Sequence, residues 1–305
     1  MKLSKKPLII IIIATFILLI GLTYGVNRLR TSSETNITTA VNATKTPTVI
    51  SEQINPAPQP PNNLTVNDSL NIEEKTYKST KAFQVNNSKI PILMYHSISY
   101  EKGNSLRVSK ENFKMQMKYL KANNYTTLTV DELYSYMKTG KMVPKKPIII
   151  TFDDGYKDNY TNAYPILKEL GLKATVFVIT DTIDVEKNFL TSKEIKSMDS
   201  SNLRVESHTA SHEHLDKISY SNNIKTMKSS KAKLEKILNR KINYIAYPYG
   251  GYTEGTIKAA KESGYTLAFS TDMSWINKNN NIYSLGRIFV NANLSFDKFK
   301  AKLNP

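Results

Sequence analysis

Residues 147–156 read PIIITFDDGY, an apolar and β-branched run that ends abruptly in two adjacent acids, Asp153 and Asp154, followed by Gly155. Such a run is typical of a buried strand. Two neighbouring carboxylates repel each other, and each raises the cost of ionising the other. A structural role would need one capping acid at most. The pair therefore indicates either a cation close to the two acids or a carboxyl group that carries a proton during a reaction.

Short apolar runs alternate with helical stretches from Lys89 to the C-terminus. Capping-box spacing predicts that helices start at Thr129 and at Thr191, and Gly140 and Gly171 stand where helices are expected to end. Strands that alternate with helices predict a parallel sheet, either a (β/α) barrel or an open doubly wound sheet. In both folds, chemistry is expected at the carboxyl ends of the strands.

The first 30 residues predict a single-pass membrane anchor or a signal sequence. Three lysines precede an uncharged apolar run over residues 7–26. At a rise of about 1.5 Å per residue, that run forms a helix of roughly 30 Å, which matches a bilayer core. Residues 31–88 are rich in Thr, Ser, Asn and Pro, with sparse apolar residues, and we interpret them as a disordered linker. Residues 89–305 then form the main folded domain, expected outside the cell, or secreted if the anchor is cleaved.

The chain is basic, with 42 Lys+Arg against 26 Asp+Glu and a formal charge of +16. A basic surface suits nucleic acid, an anionic membrane or an anionic wall polymer. No nucleic-acid motif is present, so we expect no nucleic acid, and we expect a monomer. A Lys-rich helix is predicted at about residues 223–239, with Arg240 after it. We interpret this stretch as a solvated face, and contact with an anionic wall polymer or membrane is the alternative. The chain has no cysteine, which excludes disulfides and thiol chemistry.

The four histidines of the chain are His96, His208, His212 and His214. His208 and His212 follow an apolar strand at a spacing that, on a helical turn, would place both imidazoles on one side. That spacing alone is a weak signal and more often belongs to a surface helix. Here another strand ends in two acids. Two imidazoles and one carboxylate are a suitable ligand set for Zn²⁺ or a similar divalent ion, with room for water.

Three motifs, TFDDGY at 151–156, SHTASH at 207–212 and YPYG at 247–250, resemble those of the polysaccharide deacetylases. These are the NodB-homology domains of carbohydrate esterase family 4, and the resemblance covers roughly residues 90–295. It implies a deformed (β/α) barrel. It also implies metal-dependent removal of acetyl groups from N-acetylated glycans, with Zn²⁺ as the expected metal and Co²⁺ or Ni²⁺ as alternatives.

The resemblance also implies roles for individual residues. Asp153 matches the catalytic base of the family, and Asp154, His208 and His212 match the metal ligands. Tyr249 matches a tyrosine whose backbone N–H helps to bind the oxyanion. The structural alternative for Tyr249 is a turn after a strand, and both interpretations can hold because the turn would aim the N–H.

The chain departs from the family at the general acid. Most members carry this acid as a histidine in a C-terminal strand, but no histidine follows His214 here. His96 ends the first strand, and the first and last strands of a barrel are neighbours. We therefore predict that His96 is the general acid and that the domain is circularly permuted relative to the common order. A histidine that is merely buried at a strand end is the alternative.

Three further residues are candidates for substrate binding or support. The third motif of the family usually begins with an arginine, where this chain has Ala246, and Arg287 could supply that guanidinium from a later strand. Trp275 could stack on a sugar ring, and Asp272 could orient His96. Ordinary loop structure is the alternative for Trp275 and Asp272.

The predicted function is N-deacetylation of a cell-envelope glycan. Peptidoglycan is the first candidate substrate and a poly-β-1,6-N-acetylglucosamine exopolysaccharide the second, with an O-acetyl esterase as a third possibility. A non-catalytic glycan-binding module is the alternative from another class, and the missing third-motif arginine favours it. The intact set of Asp153, Asp154, His208 and His212 argues against it, because a binding module needs no base beside a metal.

Overall fold

A computed structural model describes residues 89–200 and 202–304, together with the backbone of Phe83–Gln84. The predicted anchor over residues 1–30 and all of the predicted linker except those two backbone positions lie outside the described residues. Among the residues that are described, no helix combines the length and the apolar character needed to cross a membrane.

The described residues contain a parallel sheet and one short antiparallel pair. The strands are β1 (Phe83–Gln84), β2 (Ile92–Tyr95), β3 (Thr126–Thr127), β4 (Val143–Pro144), β5 (Pro147–Phe152), β6 (Ala174–Val178), β7 (Leu203–Ser207), β8 (Tyr244–Ala246), β9 (Leu267–Phe269) and β10 (Ile288–Phe289). The sheet has the order β10-β2-β5-β6-β7-β8-β9, β3 adds a parallel partner to β5, and β1 pairs with β4. The parallel sheet predicted from the sequence is confirmed as a curled half-barrel.

The first and last strands of this sheet are neighbours, as predicted. Strand β10 runs parallel to β2, with Ile288 opposite Leu93. The segment before β10 reaches β9 instead, because the Leu285 N–H donates to the Ala268 carbonyl at 3.0 Å and the Ser270 N–H donates to the Leu285 carbonyl at 2.8 Å. One short segment therefore bonds to both ends of the sheet and curls it.

Helices follow most of the strands. They are α1 (Lys110–Ala122), α2 (Val130–Thr139), α3 (Tyr164–Leu170), α4 (Ser192–Met198), α5 (Tyr220–Leu238), α6 (Glu254–Glu262) and α7 (Phe296–Ala301). Thr129 and Thr191 form complete capping boxes with Glu132 and Glu194, as predicted. Gly140 and Gly171 end their helices in the left-handed conformation that glycine adopts without strain.

Strand β5 is buried along its whole length, which explains its run of apolar and β-branched residues. Ile148, Ile150 and Phe152 pack into the core between the sheet and most of the helices. Ile149 points to the opposite face and packs among residues such as Phe177 of β6. The one polar side chain within β5, that of Thr151, donates its hydroxyl to the Leu93 carbonyl at 2.8 Å, and Asp153 follows directly after the strand.

Arg240 does not belong to a solvated face, so that interpretation was wrong. Its guanidinium lies 2.6 Å from Asp199 Oδ1 and 2.8 Å from Glu206 Oε1. Glu206 is fully buried in β7, and its other oxygen accepts the backbone N–H groups of Asn243 and Tyr244, both at 3.0 Å. The sequence could not show this contact because Arg240 meets acids from two distant segments.

Replacing Arg240 by methionine should destabilise the fold by about 3–5 kcal/mol, because it leaves the buried Glu206 carboxylate without its cation. Urea unfolding monitored by circular dichroism measures the change. Lys236→Met is the matched control, since Lys236 is exposed on α5, and it should change stability by less than about 0.5 kcal/mol. Equal losses in the two variants would contradict a structural role for this ion network.

Candidate metal centre and active site

The predicted site residues gather where parallel strands end. His96 follows β2, Asp153 and Asp154 follow β5, and His208 follows β7. The ends of β2 and β5 are joined directly, because the Asp153 N–H donates to the Tyr95 carbonyl at 2.9 Å. Residues far apart in the chain therefore meet at one edge of the sheet.

Asp154, His208 and His212 form a cluster that could hold a metal ion. Asp154 Oδ1 lies 3.4 Å from His208 Nε2 and 3.3 Å from His212 Nε2. One ligand atom from each residue lies within 4.8 Å of the others. Asp154 Oδ1 is buried and has no hydrogen-bond partner among the described residues. A carboxylate and two imidazoles in this arrangement fit a divalent ion such as Zn²⁺.

The surroundings of the cluster fix which atoms face its centre. His208 Nδ1 lies 2.8 Å from the Ala246 carbonyl, so the ring presents Nε2 to Asp154. Burial raises the pKa of Asp154, but the two imidazoles outweigh burial and hold that pKa well below its usual range. His208 is buried and His212 is partly exposed, so the cluster is accessible to solvent from one side.

The loop that carries His208 and His212 is not helical, so the helical-turn interpretation of their spacing was wrong. Thr209 and His212 have φ values of 67° and 59°, which lie in the left-handed region. The His212 N–H donates to Thr209 Oγ1 at 3.1 Å and stabilises this conformation. The two imidazole centroids are then 5.0 Å apart. Non-glycine residues in this region cost roughly 1–3 kcal/mol each and cluster at functional sites.

Asp153 forms a buried two-point ion pair with Arg287. The guanidinium nitrogens lie 2.6 Å from Asp153 Oδ1 and 2.7 Å from Oδ2, and the Arg287 Nε–H donates to the Ser270 carbonyl at 3.0 Å. Burial raises the pKa of Asp153, but the charge of Arg287, with a contribution from His208, outweighs burial and lowers it. Asp153 is therefore ionised at neutral pH.

The burial of Arg287 distinguishes its two predicted roles, contact with substrate and replacement of the third-motif arginine. Its side chain is 0% exposed, which leaves no surface for direct contact with a sugar. The guanidinium instead lies 5.7 and 5.9 Å from the ring centroids of Phe177 and Phe269 and contacts Asp153. Arg287 therefore fixes the orientation of the Asp153 carboxylate.

His96 lies half-buried beside the two acids. Its ring meets the Phe289 ring edge-on with centroids 5.9 Å apart, and Nδ1 is buried without a hydrogen-bond partner. Burial lowers the pKa of His96, and the nearby Asp153 and Asp154 offset only part of that effect. Asp272, which was considered for orienting His96, makes no hydrogen bond to this nitrogen. Asp272 is exposed and accepts the Ser270 hydroxyl at 2.9 Å.

Tyr249 lies at the mouth of the site on a turn with φ 58°. Its side chain is 57% exposed, and its ring stacks on His214 with centroids 3.7 Å apart. Gly250 supports the turn, because a Cβ there would lie 2.0 Å from Thr271 Oγ1. Trp275 is half-buried and packs against the core between the sheet and most of the helices. Its stacking on a sugar stays a prediction, as does the oxyanion role of Tyr249.

Sequence reasoning missed the groups that support the site. The carbonyls of Ala246 and Ser270 are backbone acceptors, which have no signature in the residue types. Asp158 and Asn159 lie two and three residues after the TFDDGY motif and contact the backbone after β2. Two consecutive polar residues at the start of a helical stretch were the only signal for them.

Comparisons with known proteins identify the family. A family profile of polysaccharide deacetylases matches residues 140–268. YxkH of Bacillus subtilis (strain 168), named as a polysaccharide deacetylase, is 40% identical over 214 residues, which cover 70% of this chain and 76% of that protein. The chain belongs to the polysaccharide deacetylase family. This confirms the resemblance and the prediction of an enzyme of the polysaccharide deacetylase class.

Two further members of the polysaccharide deacetylase family add detail. A poly-β-1,6-N-acetyl-D-glucosamine N-deacetylase of Staphylococcus aureus (strain MRSA252) is 32% identical over 248 residues, with 76% of this chain and 82% of that protein covered. The Streptococcus pyogenes deacetylase PplD, solved in complex with acetate, is 33% identical. It superposes with a TM-score of 0.68 over 72% of this chain and 100% of its own.

Asparagine substitutions should separate the roles of the two acids. Asp154→Asn removes the negative ligand, so Zn²⁺ affinity should fall by more than the roughly 10- to 100-fold typical of losing an outer contact. Asp153→Asn should retain Zn²⁺ and lose turnover. Competition titration with a zinc-binding dye and an acetate-release assay measure the two effects. Equal loss of Zn²⁺ in both variants would show that the acids share one role.

Arg287→Met should raise the pKa of Asp153, because the cation that lowers this pKa is removed while the burial that raises it remains. If Asp153 must be ionised for turnover, the acid limb of the pH–rate profile should move to higher pH. Arg287→Lys keeps the charge but loses the two-point geometry, so the acid limb of its pH–rate profile should move less than in the methionine variant. An acid limb unchanged in the methionine variant would contradict the coupling.

Proposed function

We propose that the chain is a metal-dependent N-deacetylase of a polymer that contains N-acetylglucosamine. The observation that carries this proposal is the Asp154, His208 and His212 cluster beside a buried, ionised Asp153 held by Arg287. A deacetylase of this kind needs a nucleophilic water, a base, a site for the developing negative charge and an acid for the leaving amine. At one edge of the sheet, this chain has a residue that could meet each of these needs.

Asp154, His208 and His212 would hold the ion. A divalent ion there would lower the pKa of a water molecule and polarise the amide carbonyl. Asp153 is ionised at neutral pH and is placed to accept a proton. Arg287 donates one hydrogen bond to each carboxylate oxygen of Asp153, which fixes the orientation of the carboxylate. Each oxygen keeps a second lone pair. The base is therefore positioned by a contact that substrate does not disturb.

Tyr249 and His96 would complete the site. The backbone N–H of Tyr249, on its left-handed turn, would donate to the negative oxygen that develops on the carbonyl. The departing amine needs a proton, and His96 would donate it. Burial lowers the pKa of His96, and the nearby Asp153 and Asp154 offset part of that effect. The proton that His96 would donate is the one whose loss the basic limb of the pH–rate profile would report.

Two polymers are candidate substrates. The similarity to the Staphylococcus aureus enzyme supports a β-1,6-linked poly-N-acetylglucosamine. Peptidoglycan was the first candidate from the sequence, since the predicted anchor and linker would place the domain beside the wall, and it stays a prediction. Residence at the outer face of the cell membrane and action as a monomer belong to the same proposal.

Acetate release by the full chain tests the function. Purified peptidoglycan and poly-N-acetylglucosamine are each incubated with the Zn²⁺-loaded protein, with and without a chelator. We expect release that the chelator abolishes and added Zn²⁺ restores, and the faster polymer identifies the substrate class. Glycan that is retained on the protein without acetate release from either polymer would overturn the proposal.

His96→Ala tests the general acid. Loss of a positioned acid typically lowers the rate by about 10²- to 10⁴-fold. The basic limb of the pH–rate profile should also disappear, because that limb reports loss of the proton that the acid donates. Zn²⁺ affinity should be retained, since His96 is not among the predicted ligands. An unchanged rate and profile would remove His96 from the mechanism.

A further inference from the structure

Three polar side chains just after the TFDDGY motif contact the turn that carries His96. They are Asp158, Asn159 and Asn162. Asn159 begins a π-helical turn over Asn159–Ala163 that leads into α3. Such turns are rare and frequently occur at functional sites. The roles of Asp153 and Asp154 do not account for these three residues.

Asp158 binds the two residues that follow His96. The Ser97 hydroxyl donates to Asp158 Oδ2 at 2.6 Å, and the Ile98 N–H donates to Oδ1 at 2.7 Å. Ser97 and Ile98 are both fully buried. Among the described residues, no ion pair joins Asp158 to a cation. These short, charge-assisted bonds are therefore the main interactions of this carboxylate.

The two asparagines bind the carbonyls of the same turn. Asn159 Nδ2 donates to the His96 carbonyl at 2.8 Å, and Asn162 Nδ2 donates to the Ile98 carbonyl at 2.8 Å. Asn159 is only 1% exposed, so water does not compete for the hydrogen bond of its amide. The turn is thus held at three consecutive residues by side chains from one neighbouring segment.

We propose that Asp158 and Asn159 are positioning residues for His96, an inference that rests on the proposed function of His96 as general acid. The His96 ring has no hydrogen bond at Nδ1, so the backbone of the turn sets where the imidazole lies. The segment that holds this backbone begins at Asp153 and Asp154. One stretch, residues 153–159, therefore fixes the base, one metal ligand and the support of the acid relative to one another.

Asn159→Asp is the sharpest variant, because it replaces the donor facing the His96 carbonyl with an acceptor of the same size. Misplacement of a catalytic group by about 1 Å can cost up to about 100-fold, so kcat should fall by about 10- to 100-fold. KM and Zn²⁺ affinity should stay within about threefold. Asn123→Asp is the matched control, since Asn123 Nδ2 also donates to a backbone carbonyl, that of Tyr119 at 2.9 Å, at the end of α1.

A double-mutant cycle distinguishes positioning from general stability. If Asn159 acts through His96, adding Asn159→Asp to His96→Ala should lower kcat by less than about twofold, because the interaction is already lost. A purely structural effect would lower kcat by the same factor in both backgrounds. That second result would overturn the proposal, as would a loss of Zn²⁺ affinity as large as the loss of kcat.

Hydrogen exchange at the Ile98 amide gives a readout that needs no substrate. Asp158→Asn should accelerate this exchange by at least about 10-fold, because it weakens the acceptor of that N–H, while Asn123→Asp should leave it unchanged. If Asn159→Asp does not fold, Asp158→Asn carries both the kinetic and the exchange measurements. A wild-type chain that releases no acetate refutes the proposed function, while unchanged exchange at Ile98 refutes the support of the turn.

Discussion

The buried ion pair between Asp153 and Arg287 constrains the rest of the active site. Neither charge can remain in this apolar surrounding without the other, because an unpaired buried ion costs several kcal/mol. Asp153 directly follows strand β5, and Arg287 directly precedes the last strand β10. For the two to meet, β10 must lie beside β2, which in turn lies beside β5. The order of the strands and the ionisation of the base are therefore set by the same contact.

The two adjacent acids tolerate each other because each has its own cationic or polar partner. Asp153 points to Arg287, whereas Asp154, with φ 72°, turns toward the imidazoles of His208 and His212. The left-handed backbone at Asp154 separates the two carboxylates although they are consecutive in the chain. A divalent ion at Asp154 would add positive charge where an acid already lies without a hydrogen bond. Asp153 and Asp154 therefore occupy two sites with different surroundings.

The sequence predicted those parts of the fold and site that depend on local pattern. The apolar period and the caps at Thr129 and Thr191 depend on neighbouring residues, and they were read correctly. The placement of Arg240 depends on which distant segments meet, and it was misjudged. The helical-turn prediction for the loop at His208 was wrong for another reason. Left-handed residues such as Thr209 are stabilised by the surrounding structure and leave no pattern in the sequence. Arg287 was found only because a missing arginine required a substitute.

The support of the His96 turn bears on how a strand could change its place in the chain. A strand that moves from one end of a domain to the other loses its covalent connection and keeps only its lateral contacts. Here those contacts are the ladders of β2 with β5 and with β10 and the side chains of Asp158 and Asn159, none of which depends on chain order. The position of His96 beside Asp153 is thus determined by its neighbours in space. A general acid delivered by the first strand is then geometrically equivalent to one delivered by the last.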